Sequence, residues 1–143
     1  MSYLHQVSLD LYSGSRLLIQ LIQIRLKEFN LTYPQYLTLS ILWETDGILV
    51  KQIGEKLHLD SGTLTPLLKK LEAINYVKRQ RGEEDERTVR VELTYPGKSL
   101  QSKVQNALED LEKEMKDLSE EKFPALGSSL NQFLENLESL KSD

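Results

Sequence analysis

Only one stretch of this chain carries a strand period. Residues 76–82, YVKRQRG, and residues 88–94, TVRVELT, are short runs rich in Val, Thr and Tyr with near alternation. The polar GEEDER, residues 82–87, lies between them. This pattern predicts a β-hairpin with a longer loop. Everything on either side reads as helix, so the fold class is mainly α with one small hairpin.

Residues 7–29 predict a long helix in which Leu11, Leu18, Ile22, Leu26 and Phe29 recur at helical spacing. Leu17, Leu21 and Ile24 widen its apolar face, which implies more than one neighbour. Gly14, between Ser13 and Ser15, permits close approach by another helix. Thr32 caps a second helix that has Pro34 in its first turn and ends near Thr45, before the Asp46-Gly47 pair. A short helix covers about Val50 to Leu57. Another starts at Asp60 or Ser61 and runs to Ile74, followed by Asn75. After the hairpin, helices cover about Gly97–Leu118 and Pro124–Leu140. The resulting organisation is an N-terminal helical region (1–32), a central lobe (33–96) and C-terminal helices (97–143).

The chain has no cysteine, which excludes disulfides and thiolate metal sites. No run of eighteen apolar residues exists and no secretory leader is visible, so the cytoplasm is the default location and no membrane partner is expected. Net charge is −4. The middle, residues 51–98, is nevertheless net basic, with ten Lys or Arg against eight Asp or Glu. Binding a polyanion needs such a local patch and not a global surplus. Catalysis has little support: His5 and His58 are the only histidines, and neither has a metal-ligand spacing. No phosphate-binding, dinucleotide or nucleophile-elbow motif is present, so no cofactor and no metal are expected.

A short helix, a tight connection and a longer helix form a helix-turn-helix pattern, and a basic hairpin directly after it makes a winged variant. A helix that enters a major groove needs small residues at its front, so that the backbone can approach the base edges. Ser61, Gly62, Thr63 and Thr65 meet that need, and Lys69 and Lys70 lie where phosphates would be reached. Leu64, Leu67, Leu68 and Leu71 supply the packing side. A capped core helix followed by a charged hairpin would share the same periodicity. In the hairpin Lys78, Arg79, Arg81, Arg87 and Arg90 are basic, but Glu83, Glu84, Asp85 and Glu86 interrupt them. Asp85 can orient Arg87 through a bidentate pair, and a fixed arginine suits a narrow minor groove. The other reading is a solvated charged loop. The long, apolar terminal helices suggest dimerisation, or else a monomeric bundle. A dimer would offer two recognition helices to a palindrome. Tyr12, Tyr33, Tyr36 and Trp43 either line a ligand cleft or belong to the core.

The segments DLYSGSR, LTYPQYLTLSILWE and LDSGTLTPLLKKLEAINYVKRQRGEEDERTVRVELTYPG resemble the MarR family of winged helix-turn-helix transcriptional regulators. Within it they look like the organic-hydroperoxide-sensing, OhrR-like branch and the related staphylococcal regulators. The resemblance covers roughly residues 4–98, while the terminal helices match in pattern only. It implies a homodimeric repressor on palindromic double-stranded operator DNA, built with N- and C-terminal dimerisation helices. It places residues 61–70 in major grooves and Arg87, held by Asp85, in minor grooves, with release by a signal that alters lobe spacing. That branch carries a reactive cysteine four residues before the tyrosine that Tyr12 matches. Here the position is Ser8, which cannot form a sulfenic acid. Tyr33 matches one further tyrosine of the switch, but Ile22 stands in place of the other. The loss at Ile22 favours a natural divergence over an engineered Cys-to-Ser form of a hydroperoxide sensor. The resemblance then leaves an apolar or phenolic effector, with Ser8, Tyr12, Ile22, Tyr33, Tyr36 and Trp43 as candidate lining. A reading from a different class is a protein-interaction module on the same scaffold.

Overall fold

The computed structural model describes residues 2–80 and 88–142. Its first helix, α1 (Tyr3–Leu26), passes into a short 3-10 turn (Lys27–Phe29). The helix starts four residues earlier than the apolar period predicts, because the Ser2 side chain accepts a hydrogen bond from the His5 N–H and caps it. Asn30, in the left-handed conformation, closes the 3-10 turn.

Helix α2 (Tyr33–Glu44) opens on a capping box. The Thr32 hydroxyl accepts from the Gln35 N–H, and the Gln35 side chain accepts from the Thr32 N–H at 3.0 Å. Strand β1 (Ile48–Leu49), helix α3 (Val50–Leu57) and helix α4 (Ser61–Ala73) follow. Strands β2 (Val77–Gln80) and β3 (Arg90–Leu93) form the hairpin, and helices α5 (Tyr95–Ser119) and α6 (Lys122–Lys141) complete the chain.

The hairpin has a third strand that the sequence does not announce. The antiparallel sheet has the order β1-β3-β2, with Ile48 opposite Val91 and Val77 opposite Leu93. β1 is two residues long, too short to show a period. Its strand character comes from pairing with β3 and from the Val50 N–H, which donates to the Val89 carbonyl.

The chain forms two compact units, Met1–Ala107 and Leu108–Asp143, and α5 runs from the first into the second. The first unit holds a core in which Leu39, Leu42, Ile53, Leu64, Leu68, Leu71, Val77, Val91 and Val104 are buried. Each such side chain contributes about 1.5–3 kcal/mol relative to exposure. Helix α1 buries only Leu26, and α6 buries none of its residues.

Candidate nucleic-acid interface

The turn between α3 and α4 is tight for identifiable reasons. His58 takes a left-handed conformation (φ 55°) at the end of α3. The Leu59 N–H then donates back to the Gly54 carbonyl at 3.0 Å. A Cβ on Gly54 would lie 2.8 Å from the Leu59 carbonyl oxygen, so this crossing requires glycine. Asp60 caps α4 by accepting the Thr63 N–H at 2.8 Å. That hydrogen bond, first through the Thr63 backbone, holds the Asp60 carboxyl below the usual carboxylate range.

Helix α4 divides cleanly between two faces. Leu64, Leu68 and Leu71 are buried in the lobe, and Leu67 is half-buried. Ser61, Gly62, Thr63, Lys69 and Lys70 are exposed, and Thr65 is half-buried. One solvent-facing surface therefore carries small residues at its front and two ammonium groups about two turns later. Pro66 sits inside the helix on the exposed side. It removes the donor that the Gly62 carbonyl would otherwise receive from four residues on. The cost is smallest there, because water reaches an exposed first turn.

The basic residues of the hairpin are less uniform than their spacing suggests. Residues 81–87 lie outside the described residues, and with them Arg81, Asp85 and Arg87, including the expected Asp85–Arg87 pair. On β2 the Arg79 guanidinium lies against Glu72 of α4, with Nε to Oε2 at 3.3 Å and Nη2 to Oε1 at 3.4 Å. Lys78 pairs across the ladder with Glu92 at 3.6 Å. Arg90 donates through Nη1 to the Gly47 carbonyl in the turn before β1. Asp46 in that turn accepts the Leu93 N–H at 2.8 Å and so ties the turn to β3. No sequence signal marks Glu72 as a partner of the wing, and Asp46 shows in the sequence only as half of a helix-ending Asp-Gly pair.

Three of the aromatic residues come together on α2. The Tyr33 and Tyr36 ring centroids are 6.1 Å apart, and Tyr36 and Trp43 are 6.4 Å apart. Burial, and then the neighbouring Tyr36, push the Tyr33 phenol above its ordinary value, so it stays neutral at physiological pH. The Trp43 indole Nε1–H donates to the Gly97 carbonyl at 2.9 Å. Gly97 is itself pressed against Tyr76, the residue before β2, since a Cβ there would fall 2.1 Å from the Tyr76 carbonyl oxygen. Ser8 and Tyr12 lie exposed on α1, where the Arg16 guanidinium stands 5.6 Å from the Tyr12 ring centroid. Ile22, also on α1, is half-buried.

A capped helix with a small polar front, a three-stranded sheet behind it and long flanking helices define a winged helix-turn-helix DNA-binding protein. The family model for the transcriptional regulator SarA/Rot matches residues 20–107. The organic hydroperoxide resistance transcriptional regulator of Bacillus subtilis is 46% identical over 99 residues, which span 69% of this chain and 67% of that protein. The HTH-type transcriptional regulator SarZ of Staphylococcus epidermidis is 44% identical over 111 residues, 77% of this chain and 72% of its own length. Among solved structures, reduced AbfR bound to DNA superposes with a TM-score of 0.77 at 36% identity, covering 93% of this chain and 91% of that one. The chain belongs to the SarA/Rot family of MarR-type transcriptional regulators. It carries no cysteine and so lacks the thiol expected in the hydroperoxide-sensing branch. Among the described residues no helix is long and apolar enough to cross a membrane.

Proposed function

We propose that this regulator acts as a homodimer on a palindromic operator, as a repressor released by a small-molecule effector and not by thiol oxidation. The observation that carries the DNA-binding arrangement is the division of α4. Leu64, Leu68 and Leu71 are buried, while Ser61, Gly62, Thr63, Lys69 and Lys70 form one exposed surface, with Thr65 half-buried beside it. In this reading the small residues meet a major groove, and the two lysines meet phosphates. Arg87, oriented by Asp85, enters the adjacent minor groove, and Arg81 of the same wing is a further DNA contact.

Dimerisation is supported by apolar surface that the single chain leaves open. Leu9, Leu17, Leu21 and Ile24 of α1 are exposed, as are Leu126, Leu130, Leu134 and Leu137 of α6. The regions 1–32 and 97–143 then serve association, and 33–96 serves DNA. Exposed apolar patches on this scale mark interaction surfaces.

For the effector, the support is the Tyr33–Tyr36–Trp43 cluster, which suits an apolar or phenolic molecule, with Ser8, Tyr12 and Ile22 contributing from α1. The serine at position 8 removes the oxidation chemistry.

A fluorescence titration against the duplex upstream of the protein's own gene tests the reading. It predicts salt-dependent, sequence-specific binding that is lost in Arg87→Ala while association of the chains is intact. Organic hydroperoxide is expected to leave the complex bound. Release at low hydroperoxide would contradict the effector assignment, and unchanged affinity in Arg87→Ala would contradict the role of the wing.

A further inference from the structure

The placement of Arg79 departs from that of a DNA-contacting cation. Successive residues of a strand point to opposite faces. On β2, Val77 and Arg79 share the face turned to α4, where Val77 is buried and Arg79 half-buried. Lys78 and Gln80 share the opposite face, and there both engage Glu92 of β3. Arg79 meets Glu72 through three donors: its own backbone N–H at 3.3 Å, Nε at 3.3 Å and Nη2 at 3.4 Å. The guanidinium fork and the strand backbone thus grip one carboxylate on the last turn of α4. Such a planar two-nitrogen contact fixes orientation in a way that a single point charge does not.

We propose that Arg79 is a positioning residue: through Glu72 it sets the angle of the wing to the recognition helix and does not itself contact DNA. The proposal rests on the operator-binding reading, because an angle between helix and wing matters when both must fit adjacent grooves of one duplex. The turn between α4 and β2 leaves Ala73, Ile74 and Asn75 exposed and is tied through its backbone, with the Tyr76 N–H donating to the Leu71 carbonyl at 3.0 Å and the Thr94 hydroxyl to the Asn75 carbonyl at 2.7 Å. The side-chain grip adds a tie beyond the turn, between the strand and the helix end. It also accounts for an arginine in a wing strand beside a carboxylate that would otherwise repel phosphate.

The test uses full-length chain, a duplex recovered from a random library by the wild-type protein, and an unselected duplex of equal length. Arg79→Ala and Glu72→Ala are each expected to lose about tenfold in preference for the selected duplex, and the double variant no more than either. The slope of log affinity against log salt should stay near the wild-type value in Arg79→Ala. Arg79→Lys, which keeps the charge and loses the fork, should lose the same preference. The result that overturns the proposal is a slope shallower by about 0.9 in Arg79→Ala, with equal loss on both duplexes, unchanged or tighter binding in Glu72→Ala and full rescue by lysine.

Amide hydrogen exchange on the DNA-free protein gives a second readout. Residues 77–80 should exchange faster in both single variants, while the middle of α4 keeps its protection. Unchanged exchange at 77–80 would also overturn the proposal. If the wild-type chain recovers no duplex at all, the operator reading fails, and the exchange measurement still decides the role of Arg79.

Discussion

The lobe around α4 and the helix α6 hold leucines at similar helical spacing, yet they use them in opposite ways. Leu64, Leu68 and Leu71 of α4 are buried within the chain. Leu126, Leu130, Leu134 and Leu137 of α6 are between 41% and 50% exposed. Helical periodicity therefore reports that a face is apolar and not what covers it. The lobe is complete as a single chain, whereas α6 and much of α1 present faces that we assign to a second copy.

That difference can be broken most forcefully by equal truncations in the two regions. Leu68→Ala removes a side chain with no exposed surface. It should cost about 2–5 kcal/mol in denaturant unfolding, because a cavity remains. Leu134→Ala, chemically identical, should cost the isolated chain far less, and its main effect should be weaker self-association in sedimentation. A comparable loss of stability for both at concentrations below the association range would remove the distinction.

Next in size is Gly97→Ala. Its Cβ would meet the Tyr76 carbonyl at 2.1 Å, where the Trp43 indole also docks on the Gly97 carbonyl. Forcing the backbones apart should cost about 1–3 kcal/mol and shift the Trp43 fluorescence. The same change at Gly14 of α1, where a Cβ meets nothing within 4 Å, should be neutral or slightly stabilising within one chain. A loss of association in Gly14→Ala would show that a partner approaches there.

A third test replaces Leu130 and Leu134 with glutamate together. This should convert the associated species to monomer in sedimentation and leave the far-ultraviolet circular dichroism of the lobe intact. Persistence of the associated species would move the interface elsewhere.

The smallest expected effect concerns Asp60, which is exposed and carries a carboxyl held below its ordinary range by the Thr63 N–H. A carboxyl lowered in the folded state stabilises above its unfolded value, near about 3.9, and loses that contribution as pH falls through the lower folded value. Asp60→Asn keeps the cap acceptor and loses the charge. The stability gap between wild type and variant should therefore be small near neutrality and close only below about pH 4. A gap that widens in acid would have the wrong sign for this cap.

Much of the lobe is legible in the sequence because its signals are local. Asp60 before a leucine repeat marks α4, Thr32 with Pro34 marks α2, and Val50–Leu57 is recovered with its observed ends. Strand β1 is illegible because two residues carry no period, and its identity depends on Val91 and Arg90 more than forty residues away. The roles of the basic wing residues are only half legible. Alternation along β2 places Arg79 on the Val77 face, but its acceptor, Glu72, lies seven residues back across a turn. Likewise nothing local ties Arg90 to the Gly47 carbonyl. Charge counting groups these arginines together, while the pleat and the turn separate them.

The central claim, a two-fold regulator that reads DNA with α4, is tested most directly by selecting binding sites from a random duplex library with the full-length chain and sequencing them. An inverted repeat whose half-sites lie about 10–10.5 base pairs apart, or a multiple of that, is the predicted result. Enrichment of no sequence, or of a single asymmetric half-site bound by one chain, would contradict it.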